Sequence, residues 1–322
     1  MPAGVAQLDD LGVLARLSPK DFHRLSAVCY VQEDGSRAAG RLPSPGGLGI
    51  RRTVLTRVLA EVAAESGATL HWSCRVGELA RHAGGLRLET TAGPLEASLL
   101  VAADGLHSRL RQGAGLAGRA ARRRRFGMRR HYRIRPWTDA VEVHLAPGKE
   151  AFLTPVGPEL VGLAVLWERG GKPLGTGPGV DFAALLASFP QVAERLAGAA
   201  VDGKPRGAGP LDQRVVSPVA DRIALVGDAA GYLDAITGEG LSLAFESAAA
   251  LAAIAPRALT SGASRAALRP YARAHARHYR RYALVARVVL SVARRPRLRR
   301  KLVRWLGQRP GQLERWIRWG IG

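Results

Sequence analysis

Two segments of the sequence place a carboxylate where an apolar strand ends and a helix begins. The first is VAADGLHSRLR, residues 101–111, with Asp104 and Gly105 at the turn. The second is RIALVGDAAGYLDAITGEGLSLAFES, residues 222–247. Here Gly227 and Asp228 make the turn, and Gly238, Glu239, Gly240 and Leu241 open the next helix. An ionised aspartate accepts hydrogen bonds, including those of sugar-like hydroxyls. The carboxyl ends of strands are where open α/β sheets bind their ligands. A helix start adds unpaired backbone N–H groups and the positive end of a dipole, both of which favour negative charge. Gly227, Ala229, Ala230 and Gly231 are small enough for backbone to approach a ligand closely. A single strand–Asp–Gly turn is common as plain structure. Two of them, each leading into a helix start, make a bound ligand the better reading.

The other reactive side chains do not cluster. Cys29 and Cys74 build neither a disulfide framework nor a zinc motif. His107, His131 and His144 are isolated and read as structural or surface residues. No side chain stands out as an obligatory acid or base. Tyr232, Phe245, Trp137 and Trp167 are suited to lining a substrate pocket, although core packing explains them equally well.

The elements that must position these residues follow from periodicity. Residues 53–66 predict a strong helix, with Leu55, Val58, Leu59 and Val62 on one face and Gly67 as its stop. Short helical pieces are expected at 8–17 and 20–27, and strands at 69–72, 86–90, 99–103 and 223–226. The run 99–103 reads as buried. Alternation over 140–167 predicts antiparallel sheet. Loops are expected at 43–49 and 170–180, with Asp181 capping a helix over 181–189. A long helix is expected at 238–254, and everything beyond about 264 reads as helical. The fold class is α/β (α+β): a Rossmann-like domain in two parts, 1–115 and 213–262, around an antiparallel β domain, 116–212, and then a helical tail, 263–322.

Composition bounds the function. The chain has 322 residues, 47% of them apolar, which is too apolar for a disordered chain and enough for one or two cores. The net charge is +22. Residues 265–322 hold 16 Arg and one Lys against Glu314 alone, and residues 119–135 hold nine Arg and no acid. The bulk of the chain is therefore near neutral. The tail interleaves Val285, Val288, Leu298, Trp305, Trp316 and Trp319 with arginines, a pattern of interfacial helices on anionic membranes, or of a packed helical tail. No nucleic-acid-binding motif occurs, so nucleic acid is not an expected partner. No run of 18 uncharged apolar residues predicts a spanning helix, and MPAGVAQLDDLG has no signal pattern. A cytoplasmic protein, with membrane contact through the tail as an option, is the expectation.

On its motifs the sequence resembles the FAD-dependent monooxygenase superfamily of the aromatic-hydroxylase type, near the branch of geranylgeranyl reductases and flavin-dependent halogenases. The resemblance covers about residues 1–255. It implies that Asp228 of the Gly227-Asp228 motif binds the ribityl chain of FAD. It implies that the helix start at Gly238, Glu239, Gly240 and Leu241 faces the pyrimidine end of the flavin. Asp104-Gly105 matches a motif associated with FAD and NAD(P)H, and Arg52 matches a cofactor-contacting arginine, with Thr56 where an acid is usual. Val76 matches a position whose backbone meets the adenine. The implied activity is NAD(P)H-driven hydroxylation of a hydrophobic small molecule. The alternatives are reduction of an alkene in a lipid or polyprenyl substrate, and a non-catalytic remnant. Halogenation ranks low, because no WxWxIP motif is present.

The leading fingerprint of such proteins, GxGxxG after a first strand, occurs nowhere in the 322 residues. The opening MPAGVAQLDDLGVL resembles the segment that follows that unit. The expectation is an incomplete Rossmann-like domain, N-terminally truncated by about 40 to 50 residues given the usual βαβ size, with FAD binding weakened or lost.

Overall fold

The computed structural model describes residues 1–82, 84–119, 124–168 and 181–321. The expected loop at 170–180 and part of the basic run 119–135 lie outside them. Helix α1 (Pro2–Asp10) leads to strands β1 (Phe22–Leu25), β2 (Ala27–Gln32), β3 (Arg37–Arg41) and β4 (Gly47–Ile50), then helix α2 (Arg52–Glu65). Strands β5 (Val76–His82), β6 (Gly85–Thr90), β7 (Leu95–Ala97) and β8 (Leu100–Ala102) precede the short helix α3 (Arg109–Gly113). Next come β9 (Arg125–Arg133), β10 (Ala140–Ala146), β11 (Lys149–Gly157) and β12 (Leu160–Glu168). Helices α4 (Phe182–Leu186) and α5 (Pro190–Arg195) lead to β13 (Ala200–Ala208), β14 (Val219–Ala220) and β15 (Ile223–Leu225). Helices α6 (Gly240–Thr260), α7 (Arg269–Ala293), α8 (Pro296–Gly307) and α9 (Pro310–Ile321) follow.

The largest sheet has the order β13-β9-β12-β11-β10-β2-β3. Its strands are antiparallel neighbours except β10 and β2, which pair in parallel. A smaller sheet, β14-β15-β8, holds the parallel pair β15/β8. Strands β5, β6 and β7 form a meander, and β1 pairs with β4. One face of the large sheet packs Tyr132, Leu153, Leu163 and Val165 against Phe182, Leu185 and Val192 of α4 and α5. At its other end, Val28, Ala38, Val143 and Leu145 are covered by Val303 and Leu306 of α8 and Leu313 and Ile317 of α9. The approach is close: a Cβ on Gly307 would stand 2.3 Å from the Arg37 carbonyl oxygen. Arg299 of α8 is buried there, donating to Gln32 Oε1 at 3.0 Å and the Ala146 carbonyl at 2.9 Å. The tail is thus part of the core as well as a basic surface.

Four expectations are corrected. Residues 20–27 are not an α-helix; Lys20 and Asp21 end a single 3-10 turn (Pro19–Asp21), and the chain then forms β1 and reaches the start of β2. A short isolated helix costs nucleation without tertiary return, whereas the extended chain pairs with β4 and buries Leu25. Residues 27–41, assigned with the 1–115 unit, join the sheet formed mainly from 116–212. The β2/β10 pairing links segments more than a hundred residues apart, so no local pattern reveals it. Residues 69–72 are not a strand: among the described residues nothing pairs with them, and Trp72 is 70% exposed. The run 99–103 is a three-residue strand paired only with β15, leaving Val101 43% exposed rather than buried. In addition, α6 is long and apolar enough to cross a bilayer by length and composition, which the uncharged-run criterion passed over because of Glu246. Here it buries Leu243, Leu251 and Ala258 against α7 and neighbouring elements.

Candidate cofactor site at two strand ends

Strands β8 and β15 run side by side in one direction, with Leu100 opposite Ile223 and Ala102 opposite Leu225. The Val226 N–H donates to the Ala102 carbonyl at 3.0 Å and carries the pairing past the strand end. Asp104 and Asp228 therefore emerge from adjacent carboxyl ends, the usual place for a ligand. The second turn is held from behind. Gly227 has φ +57°, and a Cβ there would meet Ala244 Cβ of α6 at 3.2 Å, so glycine is required twice over. Its N–H donates to Ser247 Oγ at 3.0 Å, and the Tyr271 hydroxyl of α7 donates to the Leu225 carbonyl.

The two aspartates have different fates. Asp104 is used inside the chain: the Ser108 hydroxyl donates to one oxygen and the Leu110 N–H to the other, at 3.1 Å. Ser108 Oγ in turn accepts from the Arg111 N–H at 2.9 Å, so the motif caps α3. Asp228 is half-buried, and its carboxylate accepts no hydrogen bond from the described residues. Burial pushes its pKa up, and the Arg52 guanidinium opposes that shift. Arg52 opens α2 as expected, near enough for its charge to act on Asp228.

Arg111 was not foreseen. It is fully buried and donates to the carbonyls of Asp228 at 3.3 Å, Ala229 at 3.2 Å and Leu106 at 2.9 Å, and to Gln213 Oε1 at 3.1 Å. One guanidinium thus ties both turns together. In the sequence it is one arginine among 43, with no spacing signal of its own.

Twelve residues beyond Asp228, α6 starts without a side-chain cap. Its first internal bond is from the Leu243 N–H to the Glu239 carbonyl at 3.0 Å. Thr237 Oγ1, just before the helix, is buried with no partner. Burial pushes the Glu239 carboxyl up to about 7; Glu246 adds to this, while the Met1 amino group and Arg281 oppose it. Tyr232 lies against Gly240, its Cε2 3.2 Å from where a Cβ would stand. Burial raises the Tyr232 hydroxyl, with Tyr282 and Asp228 adding to the effect. Tyr232, four residues after Asp228, therefore packs on the first residue of α6, and Gly227 packs on Ala244 one turn further along the helix. Val76 does not join them; it sits exposed at the start of β5 in the separate meander.

The other face of the large sheet meets α6 and the loop before it through Phe152. Cross-strand partners share a face, so one row reads Arg206, Arg129, Ala164, Phe152 and the next reads Asp202, His131, Gly162, Thr154. Phe152 packs against the cluster of Ile236, Leu243 and Tyr282. Arg129 has no acidic partner among the described residues; burial and the nearby Arg52, Arg51 and Arg206 all lower its pKa. His131 is likewise held down by burial, Arg51 and Arg129. Asp202 takes Arg51 at 2.6 Å and Arg133 at 2.8 Å, beside a cavity of about 250 Å³ that also includes Lys20 and Glu159. Arg125 is buried between Glu150 at 2.7 Å and Asp234 at 2.6 Å. Burial disfavours its charge, but the two carboxylates outweigh that and raise its pKa. This triad fixes the loop after the Asp228 turn to the sheet. No group of His, Cys, Asp and Glu suited to a metal occurs among the described residues.

No family model and no curated protein matches the chain. Solved structures do. The flavin-dependent brominase Bmp2 superposes with a TM-score of 0.78 at 16% identity, over 99% of this chain and 82% of that one. A flavoprotein/dehydrogenase from Cytophaga hutchinsonii gives 0.77 at 18% identity, over 92% and 76%. The chain has the fold of these flavin-dependent enzymes. CmlS, a flavin-dependent halogenase, gives 0.76 at 18% identity, and the fold match covers 88% of this chain but 56% of CmlS. The mixed α/β architecture with a helical C-terminal segment is therefore the one expected from the sequence.

Proposed function

We propose that the protein is an FAD-dependent oxidoreductase acting on a small organic molecule. The observation that carries this reading is the Asp228 carboxylate: half-buried, at the end of a parallel strand, without a donor among the described residues, and on a turn that packs against the uncapped helix α6. The residues fit the ribityl and ring end of the nucleotide. Asp228 would accept from ribityl hydroxyls, Arg52 would balance its charge, and the amides of Gly240 and Leu241 would face the pyrimidine end. When bound, FAD supplies the hydride and oxygen chemistry, with NAD(P)H as the proposed reductant. The chain itself supplies orientation and charge. The start of α6 favours negative charge on the ring, by the logic of an oxyanion site. Phe152 and Ile236 would give the substrate an apolar neighbour, and Gly162 and Ala164 are small residues on the same sheet face. Arg129 and Arg206 would anchor an anionic group on an otherwise hydrophobic substrate.

Hydroxylation remains the preferred reaction, with alkene reduction as its alternative. Halogenation is a second reading, favoured by the fold of the neighbours and opposed by the absent WxWxIP motif. Titration with FAD, read by quenching of flavin fluorescence, tests the core of the proposal. Saturable binding that Asp228→Ala weakens is the expected result, and no binding to the intact chain overturns it. NADH consumption with and without oxygen, and with and without bromide, then separates the three reactions.

A further inference from the structure

The inner surface of the C-terminal helices is core, but their outer surface is apolar and basic at once. On α7, Leu284 and Val288 are each 51% exposed. On α8, Leu298 and Trp305 lie seven residues apart, on one helical face, and both are exposed. On α9, Trp316 and Trp319 are 47% and 58% exposed. Contacts join these positions into one patch. The rings of Trp305 and Trp316 are 6.1 Å apart, and Arg309 stands 5.0 Å over Trp305. Arg281 of α7 donates to the Trp319 carbonyl at 2.8 Å, one turn from Leu284.

The charge around this patch is of one sign. Arg280, Arg287, Lys301, Arg315 and Arg318 have no carboxylate partner among the described residues. The one acid of the segment, Glu314, turns inward and accepts from the Arg41 N–H at 3.3 Å. Core packing accounts for Val303, Leu306, Leu313 and Ile317 but not for three exposed tryptophans ringed by unpaired cations. A contiguous exposed apolar patch marks an interaction surface. Tryptophan favours the boundary between water and hydrocarbon, and each basic residue near an anionic bilayer adds attraction.

We infer that the outer face of α7, α8 and α9 docks on an anionic lipid surface, with Trp305, Trp316 and Trp319 entering the headgroup region and the arginines meeting lipid phosphates. The inference is independent of the flavin reading. A nucleic acid or an acidic protein would use the arginines and have no need of three tryptophans and two aliphatics.

Truncating the tail would remove part of the core, so the test uses the full chain with surface substitutions. Sedimentation with phosphatidylcholine vesicles is compared with sedimentation with vesicles containing about 30% phosphatidylglycerol. The expected result is binding to the anionic vesicles, at least about tenfold stronger than to neutral ones, and weakened by salt. The double variant Trp316→Ala, Trp319→Ala should lower the partition by about tenfold while its thermal unfolding is unchanged. Arg315→Glu with Arg318→Glu should lower it as well. Absence of binding to anionic vesicles overturns the inference. So does binding that is insensitive to the tryptophan substitutions, which would indicate a plain polycation able to hold RNA or heparin equally.

Discussion

Asp104 and Asp228 begin alike: each ends a short parallel strand, each is next to glycine, and each precedes a helix start. Two residues, Ser108 and Arg111, mark how they differ. Ser108 sits where its hydroxyl reaches Asp104, so that carboxylate caps α3 and the turn closes on itself. After Asp228 the chain continues through eleven residues before α6, and among the described residues no donor returns to it. Arg111 spans the two turns through carbonyls and leaves the Asp228 carboxylate free. The same sequence signal therefore yields a cap in one place and an open acceptor in the other. What separates them is whether a donor lies within one turn of chain.

That contrast can be broken at its joint. Arg111→Leu leaves four acceptors without their donor, and should cost about 3–4 kcal/mol of stability in urea unfolding. A loss below about 1 kcal/mol would mean the turns stand independently. The next effect concerns the helix start. Glu239 is raised to about 7 by burial. Its contribution to stability is full below the unfolded value near 4.5 and is lost as pH rises through 7. Unfolding free energy should therefore fall by about 2–3 kcal/mol between pH 4.5 and 8 on account of this group, and Glu239→Gln should remove that part of the slope. An unchanged slope would show that the carboxyl is solvated.

Two substitutions sharpen the contrast directly. Asp228→Ala should weaken FAD binding by about ten- to a hundredfold, since hydrogen bonds to a charged acceptor are lost, and leave the apo-protein no less stable. Asp104→Ala should do the reverse, costing about 1 kcal/mol of stability through the lost cap and changing FAD affinity by less than about twofold. Equal effects of the two on FAD affinity would show that both carboxylates touch the ligand.

Much of the site was legible because it is built from contiguous stretches. The strand at 223–226, the glycine-bearing turn and the long helix are all encoded in one continuous stretch, residues 223–260, and the helix at 53–66 is clear from its apolar face. Arg52 was read as a cofactor-contacting arginine by resemblance, and its charge reaches Asp228 in the structure. What was missed is made of single residues that meet only in space: Arg111, the Arg125, Glu150 and Asp234 triad, and the row of Arg129 and Arg206. An isolated arginine carries no period, and cross-strand neighbours from β9, β12 and β13 have no common spacing. The failed strand at 69–72 shows the same dependence in reverse, since β-structure exists only where a partner supplies the second half of each hydrogen bond.

The sequence by itself determined the helices with a strong apolar period, the meander at 140–167, the two aspartate turns and the concentration of positive charge in the tail. These rest on interactions among near neighbours, which composition and spacing record. Tertiary structure alone decided that β2 and β3 belong to the large sheet, that the inner face of the tail is core while its tryptophans face outward, and that one aspartate is consumed while the other stays open. Burial and hydrogen-bond satisfaction depend on what arrives from distant parts of the chain, and that information is not written at any single position.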